Sequence, residues 1–540
     1  MPIAISAEQR ALQASIRDWA QRAGTLALVR GLEPGTPPVP GRGASRGPGE
    51  AAGRAGEAAG GLGDTAAGPG DTAGGPGAAP PAWPWAEQWA ALAGLGIFSI
   101  ALPEAAGGAG GTVADLAVAL EQLTVALAPG PVLPTLLAGL LLRGCPDLPA
   151  AKELLPAVAA GQASVAVALT PGTITGAWLP GGTLRVSGET GPVLGGGATT
   201  HLLLGAGTGD AEAWFLLPSG HPGAHVTARA PVDFSRPLAG VRLTGAVAAP
   251  GDILTGLRTA AVRDLAATLF CAEAAGVAGH CCDTAAAYAR TRHQFGRPIG
   301  SFHAVKQLCA GMLCRADSAA AVAWDAARAA DEAPGEHPLA AAAAAALALD
   351  AAVDNAKDCV QVLGGIGFTW EHDAHLYLRR ALALRQLLGG SAAWRARAGQ
   401  LALAGARRRL RLSAASAATQ PAAAAARAVA AEVAALPGHC RRAALADSGY
   451  VAPQWPAPYG LSASPAVQLV IDAELDQAGI TRPDLSIGGW AAAAVVSHGT
   501  PAQRDRFAGP TLRGEITWCQ LFSEPDAGSD LASVRTGEYA

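Results

Sequence analysis

Charge is what this sequence has least of. Asp, Glu, Lys and Arg together make 15% of 540 residues, they nearly cancel to a net of −4, and no stretch gathers the basic ones into a stripe. Nucleic acid and an anionic membrane are therefore not expected partners. Nine cysteines are present, but no Cys-x-x-Cys pair occurs, and Cys281 and Cys282 are adjacent. That pattern excludes a disulfide framework and a zinc ribbon, so no metal is expected, and it suits a reducing cytoplasm. Long apolar runs are also missing: Val132–Leu142 is too short for a bilayer, which needs about 20 residues. The N-terminal stretch reads as an amphipathic helix containing Glu8 and Asp18, without the unbroken apolar core of a signal peptide. A soluble chain is expected.

Half the residues are apolar, enough for sizeable cores, and the length allows about three to five compact units. Residues 31–82 are mostly Gly, Ala and Pro, with Gly63-Asp64-Thr65-Ala66 nearly recurring as Gly70-Asp71-Thr72-Ala73. Such a segment lacks the apolar surface to offset its ordering entropy and reads as a disordered insertion. A second interruption, 412–421, reads as a linker between two halves. Those halves echo each other. Leu92, Gly96, Leu102-Pro103, Gly107, Leu116 and Glu121 recur 353 residues later as Leu445, Gly449, Trp455-Pro456, Gly460, Leu469 and Glu474. A fixed offset of this kind signals duplication of a whole unit.

Between the echoes the first half changes character twice. Ser164–Leu169, Thr183–Ser187, His201–Leu204, Ala213–Leu217 and Leu238–Leu243 are short β-type runs punctuated by Gly and Pro. From 257 to about 406, long Ala/Leu runs with charges at helical spacing predict a bundle of long helices. The expected fold is α+β. Residues 1–160 form an N-terminal α-helical domain, 161–256 a middle β-domain and 257–410 a four-helix domain; 411–422 is the linker. A second α-helical domain follows over 423–510, and 511–540 opens an incomplete second β-domain with its first strands.

Three motifs could carry chemistry. In Arg290-Thr-Arg292-His-Gln294-Phe295-Gly296 a helix is expected to end at Gly296 with a left-handed cap, leaving Arg292 as a cation near a helix end, suited to a pyrophosphate. In Gln361-Val-Leu-Gly364-Gly365-Ile-Gly367 the glycines allow close backbone approach to a ligand, and Gln361 can donate and accept. In Trp518-Cys519-Gln520-Leu521-Phe522-Ser523-Glu524-Pro525-Asp526-Ala527-Gly528-Ser529-Asp530 a β-type run enters a turn whose amides and hydroxyls can face a ligand. Taken singly, Arg292 could be a surface charge and Gly364–Gly367 a plain turn.

Together, in this order after an α–β–α layout, these motifs resemble the acyl-CoA dehydrogenase family, and the second half is similar to fused two-unit actinobacterial members. The resemblance implies FAD, an acyl-CoA substrate undergoing α,β-dehydrogenation in fatty acid or steroid side-chain catabolism, an electron-transfer flavoprotein as electron acceptor, and a homo- or hetero-oligomer. It implies that Gln520, Phe522 and Ser523 line the flavin and that Gly528 and Ser529 sit by the flavin and the acyl-CoA. Arg292, Gln294, Phe295, Gln361 and Gly365 would hold the distal part of FAD. Ser523 falls opposite Thr170 in the first half, where the Glu-Pro-x-Ala-Gly-Ser-Asp loop is absent. One composite FAD site per pair of halves is the expectation.

The family's catalytic carboxylate has no counterpart. Its usual position falls near Leu388 and Gly389, and Arg385–Ser391 contains no Asp or Glu. The other family position falls near Ala266, with Asp264 and Glu273 in the neighbourhood; Glu273 reads as a structural helix residue, with a catalytic role as the lesser alternative. The alternatives to an active enzyme are a non-catalytic partner sharing an FAD site and an inactive truncated gene product. Other patterns are weaker. Gly43-Ala-Ser45-Arg-Gly47 matches a nucleophile elbow but has no strand before it. His280, Cys281 and Cys282 diverge around a helix and read as core. Trp83, Trp85 and Trp89 read as helix-packing aromatics.

Overall fold

The structure, a computed structural model, describes residues 6–33, 84–409, 419–521 and 523–535. Residues 34–82 of the Gly-rich insertion, most of the linker, the Gly43–Gly47 pattern, Trp83 and Phe522 lie outside the described residues; Gly31, expected to open the insertion, instead ends a helix. The chain divides into two compact units, Met1–Arg408 and Arg409–Ala540.

The first unit opens with α1 (Ala7–Ala23) and α2 (Thr25–Gly31), followed by α3 (Ala86–Gly94), α4 (Val113–Val125), α5 (Val132–Arg143) and α6 (Pro149–Ala159). Capping boxes start two of these helices: Ser6 with Gln9 at α1, and Thr112 with Asp115 at α4. A mixed sheet follows, made of β1 (Val165–Ala168), β2 (Thr175–Leu179), β3 (Thr183–Leu194), β4 (His201–Thr208), β5 (Ala211–Pro218), β6 (Ala224–Arg229), β7 (Leu238–Ala248) and β8 (Ile253–Leu254). Its order is β6-β7-β3-β1-β4-β5-β8, with β2 against β3 and β4. Each of the five β-type runs expected between 164 and 243 coincides with a strand or overlaps one. The strands missed, β2, β6 and β8, are short or largely exposed and lack an apolar run. Central β1 is buried along its length because β3 flanks it antiparallel and β4 parallel.

The helical part is α7 (Thr259–Thr291), the hairpin β9 (His293–Gln294) and β10 (Arg297–Pro298), α8 (His303–Glu332), α9 (His337–Leu363), α10 (Gly365–Phe368), α11 (Ala374–Leu387) and α12 (Ser391–Leu403). By length and composition α7 and α9 could cross a membrane, yet 83% and 72% of their most apolar windows are buried inside this unit. They are core helices, dense in Ala. Gly276 lets α7 approach α4: a Cβ there would lie 2.3 Å from the Glu121 carbonyl oxygen.

The second unit holds α13 (Gln420–Ala434), α14 (Gly438–Asp447), α15 (Pro465–Gln477), α16 (Ser486–His498) and α17 (Pro501–Arg513). No strand forms among its described residues. The run 516–521, expected to be β, is irregular, because no neighbouring strand in this unit offers a ladder; a single bridge joins Glu524 and Ala527.

The two turns that echo in sequence also share hydrogen bonds. Leu102 N–H donates to the Ser99 oxygen at 3.2 Å, and Trp455 N–H to the Ala452 oxygen at 2.9 Å. Gly110 N–H donates to the Leu102 oxygen at 2.9 Å, and Ser462 N–H to the Trp455 oxygen at 2.8 Å. Gly111 N–H reaches the Ile100 oxygen and Ala463 N–H the Pro453 oxygen, both at 2.8 Å. The expected constant offset of 353 does not hold throughout. The helices after these turns begin at Val113 and Pro465, an offset of 352. Arg17 of α1 donates to Gln122 at 2.9 Å, and Arg427 of α13 donates to Glu474 at 2.6 and 2.9 Å. A turn one residue shorter keeps helix phase while moving the sequence register.

Candidate functional site

The first candidate site lies where the α7–α8 hairpin faces the glycine turn after α9. Helix α7 ends at Thr291 with Arg292 as its C-cap, not at Gly296. Phe295 and Gly296 have φ of 52° and 77°, so they form the two-residue turn of the β9–β10 hairpin. Twist favours such positive-φ turns between paired strands, and this overrides a helical continuation. Arg292 stays at a helix C-terminus, where a cation is favoured.

A groove of about 410 Å³ is lined by Tyr288, Arg292, Gln294, Ile299, Gly364 and Gly365, among others. The exposed Arg292 guanidinium has no hydrogen bond or ion pair among the described residues. Gly364 has φ 64°, and a Cβ added at Gly364 or Gly365 would meet nothing within 4 Å. The backbone is therefore open to the groove. An unpaired guanidinium beside bare backbone suits an anionic, extended ligand such as a pyrophosphate. Gln361 is exposed one turn back and does not line the groove, and Phe295, 92% exposed, stands at the hairpin tip edge-on to Phe302 at 6.0 Å. Tyr288 is a lining residue that no sequence signal marked.

The position of the family base is a tight turn. Leu388 is buried, Gly389 and Gly390 have φ of 86° and 83°, and Ser391 Oγ donates to Asp350 at 2.7 Å. The Leu388 carbonyl accepts from Arg263 at 3.1 Å and from the Trp394 indole at 3.0 Å. Beside it lies an apolar cavity of about 120 Å³ whose lining includes Leu133, Leu194, Gly195, Leu387, Asp233 and Arg236. Asp233, its one carboxylate, is committed. It pairs with Arg380, accepts from Ser235 Oγ at 2.5 Å and lies 3.8 Å from Arg236. Burial opposes its ionisation, but Arg380 and Arg236 outweigh burial and hold its carboxyl below the usual carboxylate range. Glu273, 2% exposed, pairs with Arg236 and lies 4.0 Å from Arg380, as a structural residue would. Asp264 is tied to Arg397 at 2.5 Å. Sequence reasoning missed this four-charge cluster, whose members come from three separated segments.

Thr170 lies two residues beyond β1, and its carbonyl accepts from Thr190 Oγ1 at 3.0 Å. In the second unit, the 523–530 loop is tighter. Glu524 and Ala527 exchange backbone bonds of 2.8 and 3.1 Å, Arg535 N–H donates to Glu524 Oε2 at 3.0 Å, and Gln520, Ser523, Gly528 and Ser529 are exposed. His280 stacks on Tyr377 at 3.9 Å, and Cys281 and Cys282 are core residues, as expected. Trp85 is buried, and Trp89 donates to the Gly161 oxygen at 2.7 Å.

Known proteins place this geometry. Residues 79–162 match the acyl-CoA dehydrogenase N-terminal domain, and residues 264–403 match the acyl-CoA dehydrogenase C-terminal domain. The acyl-CoA dehydrogenase IpdE2 of Mycobacterium tuberculosis is 35% identical over 296 residues, covering 54% of this chain and 79% of that protein. The chain belongs to the acyl-CoA dehydrogenase family. The acyl-CoA dehydrogenase FadE34 of the same organism is 50% identical over 454 residues, 84% of this chain but only 61% of that protein. Among solved structures, a variant of the Tcur3481-Tcur3483 steroid ACAD has a TM-score of 0.55 at 30% identity, over 59% of this chain and 89% of that one. The ChsE4-ChsE5 complex from Mycobacterium tuberculosis has a TM-score of 0.54 at 30% identity, over 60% of this chain and 89% of that one. The first unit thus has the family fold: a helical domain, a β-sheet and a second helical domain.

Proposed function

We propose that this chain is an FAD-binding protein of acyl-CoA α,β-dehydrogenation whose first unit holds the distal part of the cofactor and is catalytically silent. The observation that carries it is the pairing of an open Arg292 groove with a base position that has no carboxylate. Arg292, Gln294 and Gly365 would contact the pyrophosphate and adenosine end, with Gln361 and Phe295 at its margin. FAD, when bound, supplies the acceptor for the substrate's β-hydride. The residues of the first unit provide the grip and no proton acceptor for the α-carbon, since Asp264, Glu273 and Asp233 are all ion-paired.

The shared hydrogen bonds of the two turns and the matching Arg17–Gln122 and Arg427–Glu474 pairs support reading the second unit as a repeat of the N-terminal helical domain. Its Gln520, Phe522, Ser523, Gly528 and Ser529 would then be the flavin platform that the Thr170 turn lacks. Steroid side chains or fatty acyl chains are the proposed substrate class, an electron-transfer flavoprotein the proposed acceptor, and a cytoplasmic oligomer the proposed form. The steroid ACAD among the similar structures supports the substrate class, and the ChsE4-ChsE5 complex supports the oligomer.

The test is dye-linked oxidation of a panel of acyl-CoA thioesters by the purified chain. A positioned base contributes about 10²–10⁴-fold in rate, so turnover should be at background. Robust turnover would overturn the silent first unit.

A further inference from the structure

The nine cysteines are all free thiols, and the function proposed above uses none of them. Two of them face each other. Cys281 of α7 and Cys359 of α9 are buried, and the Cys281 thiol donates a hydrogen bond to the Cys359 sulfur. Their register is fixed from both sides. One turn earlier, Asn355 of α9 donates to the Ala278 oxygen of α7 at 3.0 Å and to the Met312 oxygen of α8 at 2.9 Å, while its own oxygen accepts from Arg315 at 2.7 Å. Further on, Tyr288 of α7 and Val362 of α9 line the same groove. The two helices therefore run parallel, and a fully bonded Asn355 keeps each turn of one opposite a set turn of the other.

Both thiols also line one cavity of about 210 Å³, with His280, Thr284, His372 and Asp373 among its other walls. That volume has room for several molecules the size of water. His280, Thr284 and His372 are half-buried, so the cavity reaches the surface. Cys282, about 100° further round the helix, does not line it. Among the described residues no group of three or more His, Cys, Asp or Glu is placed to hold a metal ion, so thiol chemistry is what the pair offers. The two sulfurs are not equivalent. Donation from Cys281 holds the Cys359 thiol below its ordinary value although burial opposes this, and the same bond together with burial pushes Cys281 well up. Cys359 is the nucleophile of the pair and Cys281 the resolving thiol.

We propose that Cys281 and Cys359 form an oxidisable dithiol site, which takes a small hydroperoxide through the cavity and closes to a reversible disulfide between α7 and α9. With hydrogen peroxide, the Cys359 sulfur attacks one oxygen. An S–O bond forms, the O–O bond breaks, and the Cys359 proton leaves with the departing hydroxide as water. The Cys281 sulfur then attacks the Cys359 sulfur. The S–S bond forms, the S–O bond breaks, and the Cys281 proton leaves with the second hydroxide as water. Two electrons have passed from the sulfurs to the peroxide. A dithiol reductant restores both thiols and becomes a disulfide itself. The bond encloses a loop containing all of α8, just before the helix ends that carry Arg292 and Gly364. Closing so long a loop restricts the unfolded chain, so the oxidised first unit should melt at a higher temperature.

The test treats the full 540-residue chain with hydrogen peroxide, unfolds it in an alkylating agent and maps the peptides by mass. The peptide carrying Cys281 should be linked to the one carrying Cys359, and alkylation of both should fall at least about tenfold. The melting temperature should rise and return on addition of dithiothreitol. Cys281→Ser and Cys359→Ser should each remove the link and the rise, and Cys282→Ser should leave both. Arsenite, which bridges paired thiols without oxidising them, reads the unsubstituted chain: it should shield Cys281 and Cys359 from alkylation and leave Cys282 open. Absence of the link, a link through Cys282 or Cys309 in its place, or equal alkylation of Cys281 and Cys282 under arsenite would each overturn the proposal.

Discussion

Val165–Ala168 and residues 518–521 each come after a helix that begins with proline, and each is strongly β-type. The first is a fully buried strand, and the second is an exposed, irregular run. Their apolar character does not separate them; their neighbours do. The first has β3 and β4 on either side, and the second has no strand beside it. The helices before them differ in the same sense, α5 buried and α16 half uncovered. Strand propensity is a readiness to fit a pleated surface, and it is realised only when that surface is supplied. The first unit is therefore a finished body around a shared core, and the second holds a small helical core of its own beside uncovered apolar surface.

The sharpest way to break this contrast is to remove one arginine from each unit. Arg380 is 1% exposed and holds Asp233 with Glu273 nearby. Arg380→Ala strands two buried carboxylates with Arg236 alone, and breaking such a buried network costs about 3–5 kcal/mol. Arg427 is 67% exposed on Glu474, and an ion pair screened by solvent on one side contributes little. Urea unfolding of both variants should show a large loss for the first and almost none for the second. Equal losses would show that the second unit is as tightly built as the first.

A pH experiment sharpens the same point. Burial between α4 and α8 raises the Glu121 carboxyl from 4.5 to about 7, partly offset by the Trp324 indole donating at 3.0 Å. The unfolded chain releases this proton near 4.5 and the folded chain near 7. Stability is therefore unaffected below 4.5, falls as pH rises through this window, and is fully reduced above it. At about 1.4 kcal/mol per unit, the loss is roughly 3 kcal/mol. Glu121→Gln keeps an acceptor for Trp324 and should remove this slope, with the gain appearing at pH 8 and vanishing at pH 4. An unchanged slope would mean that Glu121 is ionised in the fold.

Arg292→Ala addresses the groove. A charge-assisted contact to pyrophosphate is worth about 1.5–3 kcal/mol, or roughly 10- to 150-fold in FAD affinity. Titration of FAD into the assembled protein should show that loss. Thr170→Ala should leave affinity unchanged, since the loop around it does not resemble the 523–530 turn. A comparable loss for Thr170→Ala would return the flavin platform to the first unit.

What the sequence disclosed follows from the range of the forces involved. Helix caps, glycine turns and β-type runs are local, and the domain order and most strands were legible from them. Arg292 and the Gly364–Gly365 turn were legible as separate motifs, and the fold brings them to one groove that Gln361 and Phe295 do not line. The Asp233–Arg236–Glu273–Arg380 cluster was not legible, because its members become neighbours only after the sheet packs on α7 and α11. The end of α7 was misplaced by a few residues, because the hairpin turn uses the same positive-φ glycine that a helix cap would use. The strand expected at 518–521 failed for the opposite reason: its local signal is sound, and its partners are absent from the described unit.

The smallest effect tests the repeat itself. Gly96 and Gly449 each follow a helix end with φ of 75° and 79°, a conformation in which a side chain is strained. A Cβ at Gly96 would lie 3.3 Å from Ser99 Oγ, and one at Gly449 would lie 3.2 Å from a Leu461 methyl carbon, so neither site is blocked outright. Alanine at either position should cost about 1 kcal/mol through backbone strain alone. Because the geometry is shared, the two losses should agree to within roughly 0.5 kcal/mol even though the surrounding units differ in completeness. The measurement is urea unfolding followed by amide exchange, which assigns each loss to its own unit. A Gly449→Ala loss near zero would mean that the second turn is loose enough to relax into another conformation. The shared hydrogen bonds at 455–463 would then reflect similar sequence rather than an equally held turn.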